Sequence, residues 1–272
     1  MTTPRVPFVR MERLGEAVAL VTLDRPDRMN SMAFDVMVPL RDTLREVSAD
    51  NSVRVVVLTG AGTAFCSGAD LENPGVVPGI DGLTLPTIAL RSMELLDDVI
   101  LTIRRMHQPV IAAVNGPAIG GGFCLALACD IRLASTTAYF RAAGNTTGLT
   151  ATYPGISYLL PRALGTARAA ELMLTGRDLE AAEAQRIGLV SNVVESGELL
   201  SACEDVAARI VGFSRPGIEL TKRMLWASLD ASSLSAHIDH EGIAQLFVRL
   251  TTRNFEEAVA ARKAKRPPNF TD

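Results

Sequence analysis

Val53-Arg54-Val55-Val56-Val57-Leu58, followed closely by Ala64-Phe65-Cys66-Ser67-Gly68-Ala69-Asp70-Leu71, decides the fold of this chain. The same order returns in Pro109-Val110-Ile111-Ala112-Ala113-Val114 and Asn115-Gly116-Pro117-Ala118-Ile119-Gly120-Gly121-Gly122. Both apolar runs are continuous rather than alternating, as in strands buried on both faces. Each leads to a loop with small residues that ends where a helix should begin. Without bulky side chains, two backbone N–H groups can converge on one oxygen, which makes an oxyanion hole from main chain alone.

Outward from these loops, strand, loop and helix alternate, which predicts an α/β layered fold with right-handed crossovers. Residues 8–24 read as two strands joined at Gly15, and Arg25-Pro26-Asp27-Arg28-Met29-Asn30-Ser31 as a polar loop. Ser31 is placed to cap a helix over 32–48, whose apolar positions Phe34, Met37, Val38, Leu40, Leu44 and Val47 recur near the helical period. The Pro- and Gly-rich stretch 72–87 reads as an exposed loop or lid. A long helix over 88–106 is expected with Leu90, Met93, Leu96, Leu101 and Ile103 inward. Strand 110–114, helix 121–129 and a short strand at 130–134 follow. From about 162 the chain reads as helical apart from a strand at 190–194, with helices near 167–174, 179–187, 199–213, 218–229, 233–250 and 254–265.

The 272 residues, 48% of them hydrophobic, suffice for one large core with a helical appendage, divided here as a core over 1–200 and a C-terminal helical region over 201–272. A net charge of -3 gives no general attraction to nucleic acid. Cys66, Cys124, Cys129 and Cys203 form no CxxC pair and only three histidines are present, so no metal site is expected and the thiols read as reduced. No signal pattern and no membrane span are read, and the expected location is cytoplasmic.

Three motifs point elsewhere and fail. Gly60-Ala61-Gly62 follows a strand, but Phe65 holds the third glycine position of a dinucleotide fingerprint. Gly116 to Gly121 has phosphate-loop spacing, but Gly122-Phe123 stands where Lys-Ser/Thr is required. Ser157 lies in Gly155-Ile156-Ser157-Tyr158-Leu159, not in a nucleophile elbow.

The two loops and the preceding 25–31 segment resemble the enoyl-CoA hydratase/isomerase (crotonase) superfamily. So do Tyr158-Leu159-Leu160-Pro161-Arg162, Leu174-Thr175-Gly176-Arg177 and Ala184-Gln185-Arg186-Ile187-Gly188-Leu189-Val190. Asn30-Ser31-Met32-Ala33-Phe34-Asp35-Val36-Met37 and 213–222 carry a finer likeness to mycobacterial-type enoyl-CoA hydratase paralogues. The resemblance implies a spiral of ββα turns, a helical C-terminal region, and homotrimers or homohexamers. It implies an acyl-CoA thioester substrate, with coenzyme A part of that substrate and no separate cofactor, and syn hydration of trans-2-enoyl-CoA in fatty-acid metabolism as the nominal reaction. The N–H groups of Ala69 and Gly121 would hold the thioester oxygen, with Arg28, Met29, Ala69, Asp70, Leu71, Gly121 and Lys265 bordering CoA. Arg262 stands where many relatives carry a Phe.

The pattern breaks at the acids. Cys124 stands two residues beyond the triple glycine, where hydratases of this family carry one glutamate, and Gly144 stands at the position of the second. Tyr153 occupies the place where some relatives put an acid instead. Cys124 reads either as a thiolate favoured by a helix N-terminus or as a small filler. Asp70 and Asp130 read as structural. Glu72, Glu94, Asp97 and Asp98 flank the lid or its helix and read as solvated unless they reach the pocket. His107 belongs to the start of the 110–114 strand, and Arg141 faces either solvent or the pocket. Met93, Leu96, Ile119, Phe123 and Tyr158 are expected to line an apolar acyl pocket. Isomerisation, thioester hydrolysis, decarboxylation and non-catalytic binding stand as alternatives to hydration.

Overall fold

A computed structural model describes residues 8–271. The N-terminal hairpin pairs β1 (Val9–Leu14) with β2 (Val18–Leu23) in antiparallel register. Helix α1 (Phe34–Ala49) leads to β3 (Val55–Gly60), and α2 (Leu85–Arg105) leads to β4 (Val110–Val114). Then come β5 (Ala118–Ile119), α3 (Gly121–Ala128), β6 (Ile131–Ser135) and β7 (Tyr139–Arg141). Helices α4 (Ile156–Leu164) and α5 (Thr166–Thr175) precede β8 (Leu179–Glu180), α6 (Ala181–Arg186) and β9 (Asn192–Val194). Four helices close the chain: α7 (Leu199–Val211), α8 (Arg215–Ala227), α9 (Leu234–Thr251) and α10 (Asn254–Ala264).

The main sheet runs β1-β2-β3-β4-β6-β9, parallel throughout except for the hairpin. A small sheet, β5-β7-β8, stands beside it. The continuous apolar strands are explained by their two covers. Val56 and Leu58 of β3, with Val110, Ala112 and Val114 of β4, face the core shared with α1, α2 and α3. Val55, Val57, Ile111 and Ala113 face the opposite side, where Leu199, Cys203 and Ala207 of α7 pack. The period-2 alternation of side chains turns one unbroken apolar run into two hydrophobic faces.

Several expectations are corrected. Ser31 does not cap α1; Ala33 holds the cap position in extended backbone, and the Phe34 N–H donates to Pro74 O (2.8 Å). The Ser31 hydroxyl is drawn away to Asp70 (3.2 Å). The inward stripe of α2 is Leu96, Val99, Ile100 and Ile103, an i, i+3, i+4, i+7 set. Leu90 (65% exposed), Met93 (42%) and Leu101 lie outside the core. α2 carries apolar residues on more than one face, so its period is legible but the choice of buried face depends on the α1 and α3 it packs against, and its buried residues Val99, Ile100 and Ile103 all lie in its later turns. α4 begins at Ile156, well before 162, and Leu179–Glu180 pairs with β7 rather than opening a helix.

α8 is docked by a buried ion pair. Lys222 Nζ lies 2.8 Å from Asp130 Oδ2 and donates to Gln108 O (2.8 Å) and Ile103 O (3.3 Å). Asp130 also accepts from the Val110 N–H (2.7 Å) and the Trp226 indole (2.5 Å), which bears out its structural role. Burial holds the Lys222 ammonium below its usual value. Among the described residues no helix is long and apolar enough to cross a membrane, and no group of three or more His, Cys, Asp or Glu is placed to hold a metal.

Candidate active site

The two glycine-bearing loops meet at the ends of β3 and β4. They are locked by a bridge between Cys66 and Ala118. The N–H groups of Phe65 and Cys66 both donate to Pro117 O (3.1 Å each), and the Ile119 N–H donates to Cys66 O (2.9 Å). The approach is as close as backbone allows. A Cβ on Gly68 would lie 2.7 Å from Ile119 O and 3.5 Å from the Gly121 nitrogen, so a side chain there would hold the loops apart.

This contact leaves two donors unpaired. Met32 bridges Ala69 as a short parallel strand would: the Met32 N–H donates to Gly68 O (2.7 Å) and the Asp70 N–H donates to Met32 O (3.0 Å). In a parallel bridge the residue between those two groups turns its own N–H to the other side. Gly121 opens α3, so its N–H is one of the amides that a helix cannot satisfy. Among the described residues neither the Ala69 nor the Gly121 N–H has an acceptor. α3 is buried from Gly122 to Ala128, and the positive end of its dipole is directed at the same place. Met32 closes one side, its side chain lying against the Gly121 Cα, where a Cβ would meet Sδ at 2.1 Å.

The loop over 25–31 is clamped to this frame by Asn30. Its Oδ1 accepts the Arg25 N–H (2.9 Å), and its Nδ2 donates to Ala61 O (2.9 Å) and Ala64 O (2.8 Å). Met29 and Asn30 both adopt left-handed backbone, a conformation costly for side chains other than glycine and held here by those bonds. The result brings Met29 O to the Ser67 N–H (3.0 Å). Arg28, Met29, Ala69, Asp70 and Leu71 thus share one neighbourhood, with Met29 and Leu71 exposed. Arg28 reaches across it to an ion pair with Glu72. Asp70 is the internal brace: it accepts from the Asn73 (2.9 Å) and Glu72 (3.1 Å) N–H groups and pairs with buried Arg25 (2.9 Å). The Asn73 N–H foremost holds its carboxyl below the ordinary carboxylate range. Lys265 ends α10, its amide donating to Arg262 O (3.2 Å), and no hydrogen bond or ion pair among the described residues joins it to the loops.

The three non-acidic positions are placed as follows. Cys124 is fully buried one turn into α3, and burial pushes its thiol up to about 12. Desolvation outweighs the helix dipole, so the thiolate reading gives way to the filler reading. Gly144 cannot carry a side chain in this backbone. A Cβ there would sit 2.0 Å from Thr150 O and 2.7 Å from the Ala151 nitrogen, so an acid at 144 requires a different 149–151 path. Tyr153 is half-buried, its hydroxyl donating to Met93 O (3.0 Å). Burial foremost, then the Asp97 carboxylate, raises the phenol above its usual value, so it stays neutral.

Other expected residues are accounted for by their partners. Arg141 is held by Asp178 in a two-pronged pair (2.5 and 2.7 Å), and His107 lies 3.9 Å from Glu219. Tyr158 is exposed and bonds Asp230, beside a stacked Arg162, rather than lining a pocket with Phe123. Phe123 is buried against Phe140. Two residues that sequence reasoning left without a role, Met32 and Asn30, shape the donors. Asn30 has a weak signal, as Asn tolerates left-handed backbone, but Met32 has none because its contacts cross to distant loops.

A family model described as enoyl-CoA hydratase/isomerase matches residues 13–272. A probable enoyl-CoA hydratase of Mycobacterium bovis is 68% identical over 267 residues, covering 98% of this chain and 94% of that protein. The crystal structure of a probable enoyl-CoA hydratase/isomerase from Mycobacterium abscessus superposes with a TM-score of 0.94 at 64% identity, covering 97% of this chain and 98% of that one. That of a monofunctional enoyl CoA isomerase from M. smegmatis superposes with a TM-score of 0.74 at 60% identity, covering 86% of this chain and 99% of that one.

Proposed function

Because the chain belongs to the enoyl-CoA hydratase/isomerase family, an acyl-CoA enzyme family of the crotonase superfamily, we propose that it acts on enoyl-CoA thioesters through an enolate held by the Ala69 and Gly121 N–H groups. The observation that carries this is the pair of unpaired backbone donors on two loops pressed together at Gly68 and Ile119. Such donors stabilise negative charge developing on the thioester oxygen, worth roughly 3–4 kcal/mol for one donor. CoA is part of the substrate, and no further cofactor is invoked. Arg28, Met29, Asp70 and Leu71 border its adenine and pantetheine, with Lys265 reaching it from the tail or from a neighbouring subunit.

Within that class, migration of the double bond is better supported than hydration. Hydration needs one group to activate water and a proton for the α-carbon. Buried, neutral Cys124 and side-chain-less Gly144 supply neither. Migration needs only one group that takes a proton and returns it. The similarity to the M. smegmatis enoyl CoA isomerase supports this, while that to probable hydratases keeps hydration as the second reading. We further infer a core over 1–200 with a helical oligomerisation region over 201–272, a homotrimer or homohexamer, and a cytoplasmic place in fatty-acid metabolism.

The test compares a trans-3-enoyl-CoA with crotonyl-CoA on the same preparation, following the conjugated thioester absorbance, with calorimetric binding of both. A gain of absorbance from the first and little loss from the second supports migration. Efficient loss from crotonyl-CoA restores hydration. Binding without turnover of either makes the chain an acyl-CoA binder or moves it to thioester hydrolysis or decarboxylation.

A further inference from the structure

Four acids flank the lid and its helix, and tertiary contacts separate them. Glu72 is paired with Arg28, Glu94 with Arg91 (2.5 Å), and Asp98 with Arg45 (3.1 Å) and more distantly Arg41 (3.9 Å). Among the described residues Asp97 has no cation partner. It is half-buried and its neighbour is a neutral phenol, Tyr153.

The position of that phenol matters. Tyr153 Oη lies 3.0 Å from Met93 O, and Met93 and Asp97 are i and i+4 on α2, one above the other on a single face. Tyr153 stands three residues before the start of α4, and α4 packs on α3, the helix that carries Cys124. Cys124 is three residues, about 4.5 Å of helix rise, from the Gly121 donor. α2 packs on α3. Tyr153 therefore ties the face of α2 that holds Met93 and Asp97 to the start of α4, and both helices pack on α3, which opens at the Gly121 donor.

We propose that the Asp97 carboxylate, with the Tyr153 hydroxyl beside it, is the group that takes up and returns the proton in the reaction. This rests on the enolate reading given above. In a 3-enoyl thioester, Asp97 accepts the proton on the carbon between the carbonyl and the double bond. The C–H electron pair enters a dienolate whose negative charge rests on the thioester oxygen at Ala69 and Gly121. The carboxylic acid, whose proton exchanges with solvent while it is held, then protonates the far carbon, and the electron pairs return to leave a conjugated 2-enoyl thioester. Protonation back at the α-carbon is the reverse step and carries solvent hydrogen there. Nothing is consumed, and one carboxylate is enough. Tyr153 remains protonated throughout and exchanges its hydrogen bond between Met93 O and the Asp97 carboxylate, so it is a positioning residue.

The experiment uses the full chain, wild type and the variants Asp97→Asn, Asp97→Glu and Tyr153→Phe, with trans-3-hexenoyl-CoA. Three readouts are taken: conjugated absorbance, deuterium uptake at the α-carbon in D2O, and calorimetric Kd. Asp97→Asn is expected to lose about 10²–10⁴-fold in both turnover and exchange, with Kd within about threefold because the main-chain donors are untouched. Asp97→Glu should recover part of both, and Tyr153→Phe should lose less, with no further loss when combined with Asp97→Asn. Should Asp97→Asn fail to fold, Asp97→Ser and Tyr153→Phe carry the same comparison. A wild type that turns over and an Asp97→Asn that keeps its rate and exchange would overturn this inference alone. A wild type that binds the ester but neither isomerises it nor exchanges its α-proton would overturn the enolate reading and this inference with it.

Discussion

A single methyl group on Gly122 should dismantle the site while leaving its chemistry formally intact. A Cβ built there lies 2.0 Å from Cys66 O and 2.8 Å from both the Cys66 carbonyl carbon and Cβ. Real Cβ contacts essentially never fall below 3.0 Å, so the 66–69 loop and the start of α3 must separate by about 1 Å. The obstacle is backbone, itself fixed by Ile119 N–H donating to Cys66 O, and no side chain can swing aside. Overpacking of this kind costs about 1–3 kcal/mol, or roughly 2–6 °C of Tm at about 2 °C per kcal/mol for a chain of this size. The functional loss should be larger than the loss of stability. The separation falls between the segments carrying the Ala69 and Gly121 donors, and a 1 Å misplacement costs on the order of 100-fold in rate. The assay is thermal unfolding together with isomerisation of trans-3-hexenoyl-CoA, with two comparison variants. Gly121→Ala meets only the flexible Met32 thioether and should melt within about 2 °C of wild type. Gly242→Ala lies in exposed α9 with nothing within 4 Å and should gain about 0.5–1 kcal/mol with unchanged turnover. A Gly122→Ala protein with wild-type Tm and turnover would refute the close packing of these loops as the source of the donor geometry.

Lys222→Met should destabilise by about 3–5 kcal/mol, because it leaves Asp130 buried without its cation; chemical denaturation measures it, and adding Asp130→Asn should recover part of the loss. All four cysteines are buried and burial pushes each thiol up to about 12, so the native protein should yield no thiol to a disulfide reagent at pH 8 and four after denaturation. The Asp70 carboxyl is lowered relative to the unfolded chain, so its stabilisation is complete above the unfolded value of about 3.9 and disappears as pH falls through the folded value. Asp70→Asn should therefore cost about 3 kcal/mol at pH 7 and markedly less at pH 3, measured by urea unfolding at both.

The layered α/β fold was legible because unbroken apolar runs ending in small-residue loops have few other uses. The covers of β3 were not, since Leu199, Cys203 and Ala207 lie far along the chain and nothing local marks them as the second face. The same division runs through the site. Gly68, Gly121 and Gly122 can be picked out because a close backbone approach demands residues without side chains, and the absence of the family's acids can be read position by position. Which remaining acid faces the pocket cannot. Glu94 and Arg91 are i, i+3 neighbours and their pairing is visible in the sequence. The pairing of Glu72 with Arg28 and of Asp98 with Arg45 joins segments 44 and 53 residues apart, and only those contacts leave Asp97 without a cation.

Cys124 marks the limit most sharply. Its place near a helix N-terminus is a local fact and favours a thiolate, whereas its complete burial under α4 is a tertiary fact and favours the thiol. Desolvation acts on the whole surroundings of a charge, while the dipole acts only along one helix, so the folded environment prevails. The strand–loop–helix order and the small residues that let two amides meet are local properties of the chain. The tertiary structure alone decided which face of α2 is buried, which carboxylates are neutralised, and that 144 has no room for a side chain, because each depends on chain segments that no local pattern brings together.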